Sequence, residues 1–510
     1  MKKNFFKAAA ALCIVAGITL GFRDRGATEW QSKLVTLNPD GSLTYHPDEK
    51  GNTLPDFSYV GYHHGDAPIP DLQVVKTISA PANGSSQQLI QDAINEVSKL
   101  KPDANGFRGA ILLKKGIYKV ADSLRISTGG IVLRGEGSDI GATCIIATGK
   151  GQRTLINIGG NGRIREATGT RVQIADDFVP VGAKSFNVQS ASGFKVGDSI
   201  ILYRPSPKNW IHDLKMDQMV ARQGTKQWTP GDYDLHYERV ITKIENNRVF
   251  IDNPVVMQLD VKYGGGAIYK YTFNGRINEV GIENLRFESE FANDTDEDHG
   301  WIAAAFRNCQ NGWARNVASR YFGYACISTE GGSRNITVID CKCTDAKSII
   351  TGGRRYSFNN TGQLNLFMNC HAEDGRHDFV TGAKVCGPNV FYGGTAIRTH
   401  ADAGPHHRWA SGTLFDSIVT DGEINVQDRG NMGSGHGWSG VTQVLWNCKA
   451  AKVALQSPWV SGQNYCIGLQ GGKDPGHFKD RNEGYWEGQN KKGLMPASLY
   501  MAQFRARHLK

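Results

Sequence analysis

Seven short segments of this chain repeat one phrase: an apolar residue, a variable one, an Asn, Asp or Gly, and a small or apolar residue, most often Cys. They are Ile282-Glu-Asn-Leu285, Phe306-Arg-Asn-Cys309, Val338-Ile-Asp-Cys341, Phe367-Met-Asn-Cys370, Phe391-Tyr-Gly-Gly394, Leu414-Phe-Asp-Ser417 and Leu445-Trp-Asn-Cys448. Their last residues stand 24, 32, 29, 24, 23 and 31 positions apart. A period of roughly 20 to 35 residues, with short alternating apolar runs between glycines and no long helical periodicity, belongs to a solenoid whose coils are strands. The predicted architecture is all-β, a right-handed parallel β-helix. The first residue of each phrase should face inward. The third is of a type that accepts a left-handed bend, so stacked coils should carry an asparagine ladder along one edge. Cys309, Cys341, Cys370 and Cys448 are expected in stacked core positions, where a buried thiol behaves as a small hydrophobe. Glycine, at 61 of 510 residues, exceeds the usual share of about 7% and fits a chain of many tight turns.

Around this solenoid the chain divides into further segments. Residues 1–22 combine three lysines with an apolar run of about a dozen residues, the pattern of an export signal rather than a membrane span. Residues 23–70 form an N-terminal extension. Residues 71–170 hold the first coils, with a capping helix over Gln87–Leu100 that covers the core's open end. Residues 171–259 depart from the coil pattern and read as an inserted β module, with a Trp-bearing loop from Ser206 to Tyr237 that is either functional or disordered. Residues 260–470 are the main coils, and 471–510 a tail with a basic terminal helix. The expected protein is exported, periplasmic or extracellular, and monomeric, with no integral membrane segment once the signal is removed.

The helix leading into Gly109-Ala-Ile-Leu-Leu-Lys-Lys-Gly-Ile-Tyr118, the phrase Val132-Leu-Arg-Gly-Glu-Gly137 and the Asn-Cys coils together resemble the pectate-lyase-like superfamily of parallel β-helices. The resemblance covers roughly residues 70–470 and implies a polysaccharide lyase, a glycoside hydrolase or a glycan binder. Neither the calcium-binding aspartates of pectate lyases proper nor the paired aspartates of polygalacturonases has a match here. Calcium is thus possible as a cofactor but unassigned, and no residue is named as a metal ligand.

Six of the 14 histidines fall between His371 and His436. Four pieces align there: Gly353-Arg-Arg-Tyr-Ser-Phe358, Gly375-Arg-His-Asp-Phe-Val380, Pro405-His-His-Arg-Trp-Ala410 and Gly422-Glu-Ile-Asn-Val-Gln427. With Phe379, Trp409 and Val426 in the core, alternation sends Arg354, Tyr356, Arg376, Asp378, His406, Arg408, Glu423 and Asn425 outward, and Arg355, His377 and His407 inward. A slip of one residue exchanges the two sets. The outward set would form a polar shelf for an acidic glycan, since arginines grip carboxylates and histidines move protons. Candidate catalytic residues are His406, Arg408, Arg376, His377 and Tyr356. Candidate substrate-binding residues are Arg354, Arg355, Asp378, His407, Asp402, His436 and Trp438, the last two on the turn Gly433-Ser-Gly-His-Gly-Trp438, which is either an aromatic platform or a plain turn over a core tryptophan.

The expected activity is β-elimination on a uronic-acid-containing polysaccharide. A glycoside hydrolase using two of Asp378, Asp402, Asp416 and Glu423 is the alternative, and a non-catalytic glycan-binding β-helix the other. No lysine or arginine run of the kind that binds nucleic acid occurs; the formal charge of +9 is spread along the chain. The acidic stretch Asn293–His299 lacks the glycine and distal glutamate of a calcium loop and is expected to be a solvated turn.

Overall fold

The computed structural model describes residues 28–509; the expected export signal and Cys13 lie outside them. Twenty-nine strands join in one continuous sheet system whose pairings are parallel throughout. They stack in three columns, which makes the chain a parallel β-helix. The first column runs from Val74–Ile78 and Gly109–Leu113 up to Tyr465–Ile467 and Tyr485–Glu487. The second begins at Gly116–Val120 and Thr143–Ala147 and climbs through Lys342–Thr344, His371–Glu373 and Thr395–Ile397. The third rises through Gly300–Arg307, Ala325–Thr329, Phe358–Asn360, Phe379–Thr381, Asp402–Pro405 and Glu423–Val426.

Between the first and second columns seven successive coils turn through a left-handed residue. Asn284, Asn316, Asp340, Asn369, Gly393, Ser417 and Asn447 have φ between 50° and 64°. Neighbouring side chains join along the ladder: Asn316 Nδ2 donates to Asn284 Oδ1 at 2.8 Å and Asn369 Nδ2 to Asp340 Oδ1 at 3.3 Å. Two phrases of the repeat are displaced from this ladder. Phe306–Cys309 lies at a different bend, and its ladder place is held by Asn316, whose neighbour Val317 is paired with Leu285. Cys341 and Cys370 therefore stack on successive coils, but Cys309 does not join them: it opens the strand Cys309–Arg320 opposite Ile277. At the sixth phrase the bend is Ser417 rather than Asp416, and Phe415, not Leu414, enters the helix core. A phrase of four residues cannot distinguish two bends of similar composition on the same coil.

All nine cysteines among the described residues are buried free thiols, and they add to a core of Ile, Leu, Val and Phe that runs the length of the solenoid. Its open end is closed by the helix Gln87–Ser98, which turns Ile90, Ala93, Ile94 and Val97 into that core. The outer face of the first column is covered by the N-terminal segment, through Val35, Leu54, Phe57 and Val60, and by the helix Leu499–His508. Asp416 serves this cover. Its carboxylate accepts from the Ser498 hydroxyl and the Tyr500 N–H, both at 2.7 Å, holding the start of the terminal helix on the coil.

An antiparallel sheet, with strands Ser199–Arg204, Leu235–Glu245, Arg248–Ile251 and Ala267–Thr272 among its members, forms the β module. The Trp-bearing loop is well packed: it contains the short helix Lys208–Asp213, and Trp210, Trp228 and Tyr233 join Trp409, Trp438 and Val441 of the coils in a second core. No helix among the described residues is long and apolar enough to cross a membrane.

Candidate functional site

One outward row of the third column is small or uncharged. Ala305, Ser328, Asn359, Val380 and Gly404 succeed one another from coil to coil, and this row of short side chains floors a surface groove over the Ser328 and Asn359 coils. At one end lies a cavity of about 450 Å³ with Trp301, Arg307, Tyr324 and Glu330 on its walls. Tyr324 stacks on Tyr356 at 4.9 Å, which carries the wall on to a cluster of four histidines.

The cluster is tight. The His377 and His406 rings lie 4.3 Å apart, and Tyr356 meets both edge-on at 4.7 and 5.4 Å. His406 is 5.2 Å from His407 and from His436, which are 4.9 Å from each other. Burial, reinforced by neighbouring cationic groups, pushes every one of these imidazoles down: His377 and His436 to about 4, His407 to about 3, and His406 far below its usual value. At neutral pH all four are uncharged bases. Burial pushes the Tyr356 phenol up, so it stays protonated. Around them stand Arg376, bonded to the Gly352 carbonyl; Arg408, bonded to the Ser434 hydroxyl; and Arg429, paired with Asp402. Burial alone would raise Asp402, but Arg429 and His377 outweigh it and hold the carboxyl low.

A strand kink builds this arrangement. Asp402 and His406 flank Gly404, whose φ is +119°, and a Cβ there would meet the Asn425 carbonyl oxygen at 2.6 Å. Ligand-type atoms of His377, Asp402 and His406 come within 4.8 Å of one another, and a regular extended strand would not bring residues four apart so close. Gly404→Ala is therefore expected to lower stability by about 2 kcal/mol and to lose activity even where folded protein is recovered. An unchanged melting temperature would show that the kink is not required.

The aligned pieces of the sequence are out of step at this point. The coil partner of Phe379 in the core is Ala403, followed by Ile424, while Trp409 faces the β module, with its Nε1–H toward Met257 Sδ at 3.1 Å. His377, expected inward, and His406, expected outward, thus meet in one cluster, because alternation cannot register the extra bend at Gly404. Other candidates are placed elsewhere. Asp378 is buried rather than outward, accepting the Ser357 hydroxyl at 2.6 Å. Arg355 is buried and clamps the Ser348 carbonyl at 2.7 Å. Arg354 makes a two-bond ion pair with Glu297 at 2.6 and 2.7 Å. Trp438 is fully buried, its Nε1–H on the Leu214 carbonyl at 3.3 Å, and is a core residue rather than a sugar platform. Glu423 lies opposite Asp402 on the next coil, 3.5 Å from Lys452. The acidic turn is ion-paired: Asp294 with Lys347, Glu297 with Arg354, Asp298 with Lys150.

Arg429, Tyr324 and the core residue Tyr233, which lies against Arg408, carry no mark in the sequence. Arg429 stands in a glycine-rich turn outside the coil pattern. Only its position two residues after Gln427, where the aligned pieces stop, pointed to it.

Burial pushes the Asp378 carboxyl up to about 7. Its folded value lies above the unfolded one, so the folded chain holds the extra proton from about pH 4 to 7 and stability falls as pH rises through that window. Asp378→Asn keeps an acceptor for Ser357 and is expected to raise the melting temperature at about pH 8 but much less at about pH 5. Equal shifts at both would mean that the folded carboxyl is already ionised.

No protein-family model matches this sequence, and no curated protein is significantly similar to it. Among solved structures, the chain is similar to the tailspike protein gp49 from Pseudomonas phage LKA1 (14% identity, 78% of this chain and 73% of that one, TM-score 0.35). It is also similar to the endo-xylogalacturonan hydrolase from Aspergillus tubingensis (10%, 82% and 94%, TM-score 0.32). A third similar structure is Geobacillus virus E2 ORF18 (13%, TM-score 0.38), where 81% of this chain spans 59% of that one, less than two thirds of its length. The strand pairing itself defines the class: this is a parallel β-helix protein.

Proposed function

We propose that this protein is an exported lyase that cleaves a uronic-acid-containing polysaccharide by β-elimination in the third-column groove. The observation that carries this reading is the meeting, at one place, of uncharged histidines, a protonated tyrosine and three guanidinium groups. Elimination needs each of them. Arg376 and Arg408 neutralise the uronate carboxylate, which acidifies the neighbouring C–H; His406 or His377 takes that proton; the electron pair forms the C=C bond as the C–O bond to the leaving sugar breaks; and Tyr356 gives the leaving oxygen a proton. His407 and His436 line the same end of the groove, and Arg429 keeps Asp402 ionised beside the base.

One observation favours hydrolysis instead. Asp402 and Glu423 oppose each other on adjacent coils, with Asp402 held low and Glu423 pushed up by burial, the opposed pair that an acid and a base require. Asp378 and Asp416, bonded within the structure, leave that pair as the hydrolase candidates. Incubation with acidic and neutral glycans, following ultraviolet absorbance beside reducing sugar, separates the outcomes. A lyase leaves an absorbing unsaturated end and a hydrolase a saturated one, while a binder leaves the polymer whole and would overturn both.

A further inference from the structure

We infer that His377, Asp402 and His406 form a binding site for one divalent transition-metal ion, of which zinc is the representative. A ligand atom from each lies within 4.8 Å of the others, a spacing that side-chain rotation closes onto a single ion. The hydrogen bonding of His377 prepares it for this. Its Nδ1 lies 2.7 Å from the Asp402 carbonyl oxygen, which can only accept, so Nδ1 carries the hydrogen and Nε2 the lone pair. That Nε2 is buried and has no partner, although His377 is 1% exposed and an unbonded polar atom in such a place is costly. His406, 8% exposed, leaves its Nδ1 in the same condition. A backbone carbonyl bound to the far nitrogen of a histidine is the support that metal-binding imidazoles generally have, since it fixes tautomer and ring orientation.

Asp402 completes the set. Arg429 holds its Oδ2, while Oδ1 lies 3.5 Å from His377 Nδ1, the nitrogen that carries the hydrogen, so the carboxylate is anchored on one side and Oδ1 has to swing toward Nε2 to share an ion with it. Two uncharged imidazoles and one carboxylate suit zinc, cobalt or nickel; calcium and magnesium prefer a shell of oxygens. Three protein ligands leave a coordination position open, as catalytic rather than structural zinc sites do. The site does not depend on the lyase reading. With an ion bound, however, His377 and His406 are ligands, and the proton-accepting role passes to His407 or His436, both within 5.2 Å of the His406 ring.

The test uses untagged mature protein treated with a chelator and then titrated with zinc by calorimetry and with cobalt(II) by visible absorption. About one equivalent of each is expected, with the strong absorption of low-coordinate cobalt, while calcium and magnesium give no saturable heat. His377→Gln and His406→Gln should each weaken zinc binding by about 100-fold or more, the upper scale seen for disturbing a metal site. Asp402→Asn, which preserves shape, should weaken it as well and serves should either histidine variant misfold. No saturable zinc binding to the folded parent, or undiminished binding in the folded variants, overturns the site. Because uptake is read without substrate, a chain that binds zinc but leaves every glycan intact refutes the lyase reading and upholds this one.

Discussion

His406→Ala is expected to lower turnover of an acidic glycan by about 10² or more, the scale of losing a general base or a charge-stabilising group, at a modest cost to folding. His406 stands at the centre of the cluster, touching His377, His407, His436 and Tyr356. Its Nδ1 has no hydrogen-bond partner, so truncation orphans nothing at that atom and the penalty is confined to lost ring contacts and the cavity left behind, about 2–3 kcal/mol. Arg408→Ala should produce a loss of similar size, because Arg408 supplies positive charge at the groove while its bond to Ser434 ties down only a turn. Glu423→Gln should do far less under elimination and abolish activity under hydrolysis. Near-full turnover in His406→Ala and Arg408→Ala, on a glycan the parent cleaves, would place the active site elsewhere.

The fold was legible because its signal is repetitive. A left-handed bend on each coil restricts residue type, and seven phrases of Asn, Asp or Gly survive a misassignment at two of them. Phe306–Cys309 and Leu414–Ser417 sit at another bend or register than their phrase predicts, yet the five concordant phrases suffice to define the solenoid. The site was legible only as a neighbourhood. The crowding of histidines between 371 and 436 marks the right coils, but the register on them depends on one positive-φ glycine, Gly404, which looks in sequence like any other turn glycine. Past that kink the alternation fails, so Trp409 faces the β module rather than the helix core; Asp378, one coil earlier, lies just before the strand Phe379–Thr381, where alternation does not yet apply, and is bonded to Ser357 within. Arg429 shows the remaining limit: its partner Asp402 is 27 residues away, a distance across which only the stacking of coils brings charges together.

That same stacking decides where removal of a charge should damage the fold most. Glu238 of the β module is 1% exposed and its carboxylate takes two bonds from Arg276, at 2.6 and 2.7 Å, one from Arg334 at 3.2 Å and one from the Tyr271 hydroxyl at 2.5 Å. Burial alone would raise this carboxyl, but the bond to Arg276 and the charges of Arg334 and Arg276 outweigh it and hold it at about 2. Arg334 begins a coil strand while Glu238 belongs to the module sheet, so this ion cluster fastens the module to the solenoid. Glu238→Ala leaves two buried guanidiniums without their counter-charge, and breaking a buried pair from one side costs about 3–5 kcal/mol. The module should loosen first, because its own core is shared with the coils at Trp409 and Trp438. Tryptophan fluorescence is therefore expected to change at lower denaturant than in the parent, ahead of the loss of β-sheet circular dichroism. The depressed carboxyl gives the sign of the pH effect: its contribution is present above about pH 4.5 and is lost as pH falls toward 2, so the gap between parent and variant should narrow in strong acid. If Glu238→Ala unfolds at the same denaturant concentration as the parent at neutral pH, the cluster does not fasten the module, which is then held by its aromatic core alone.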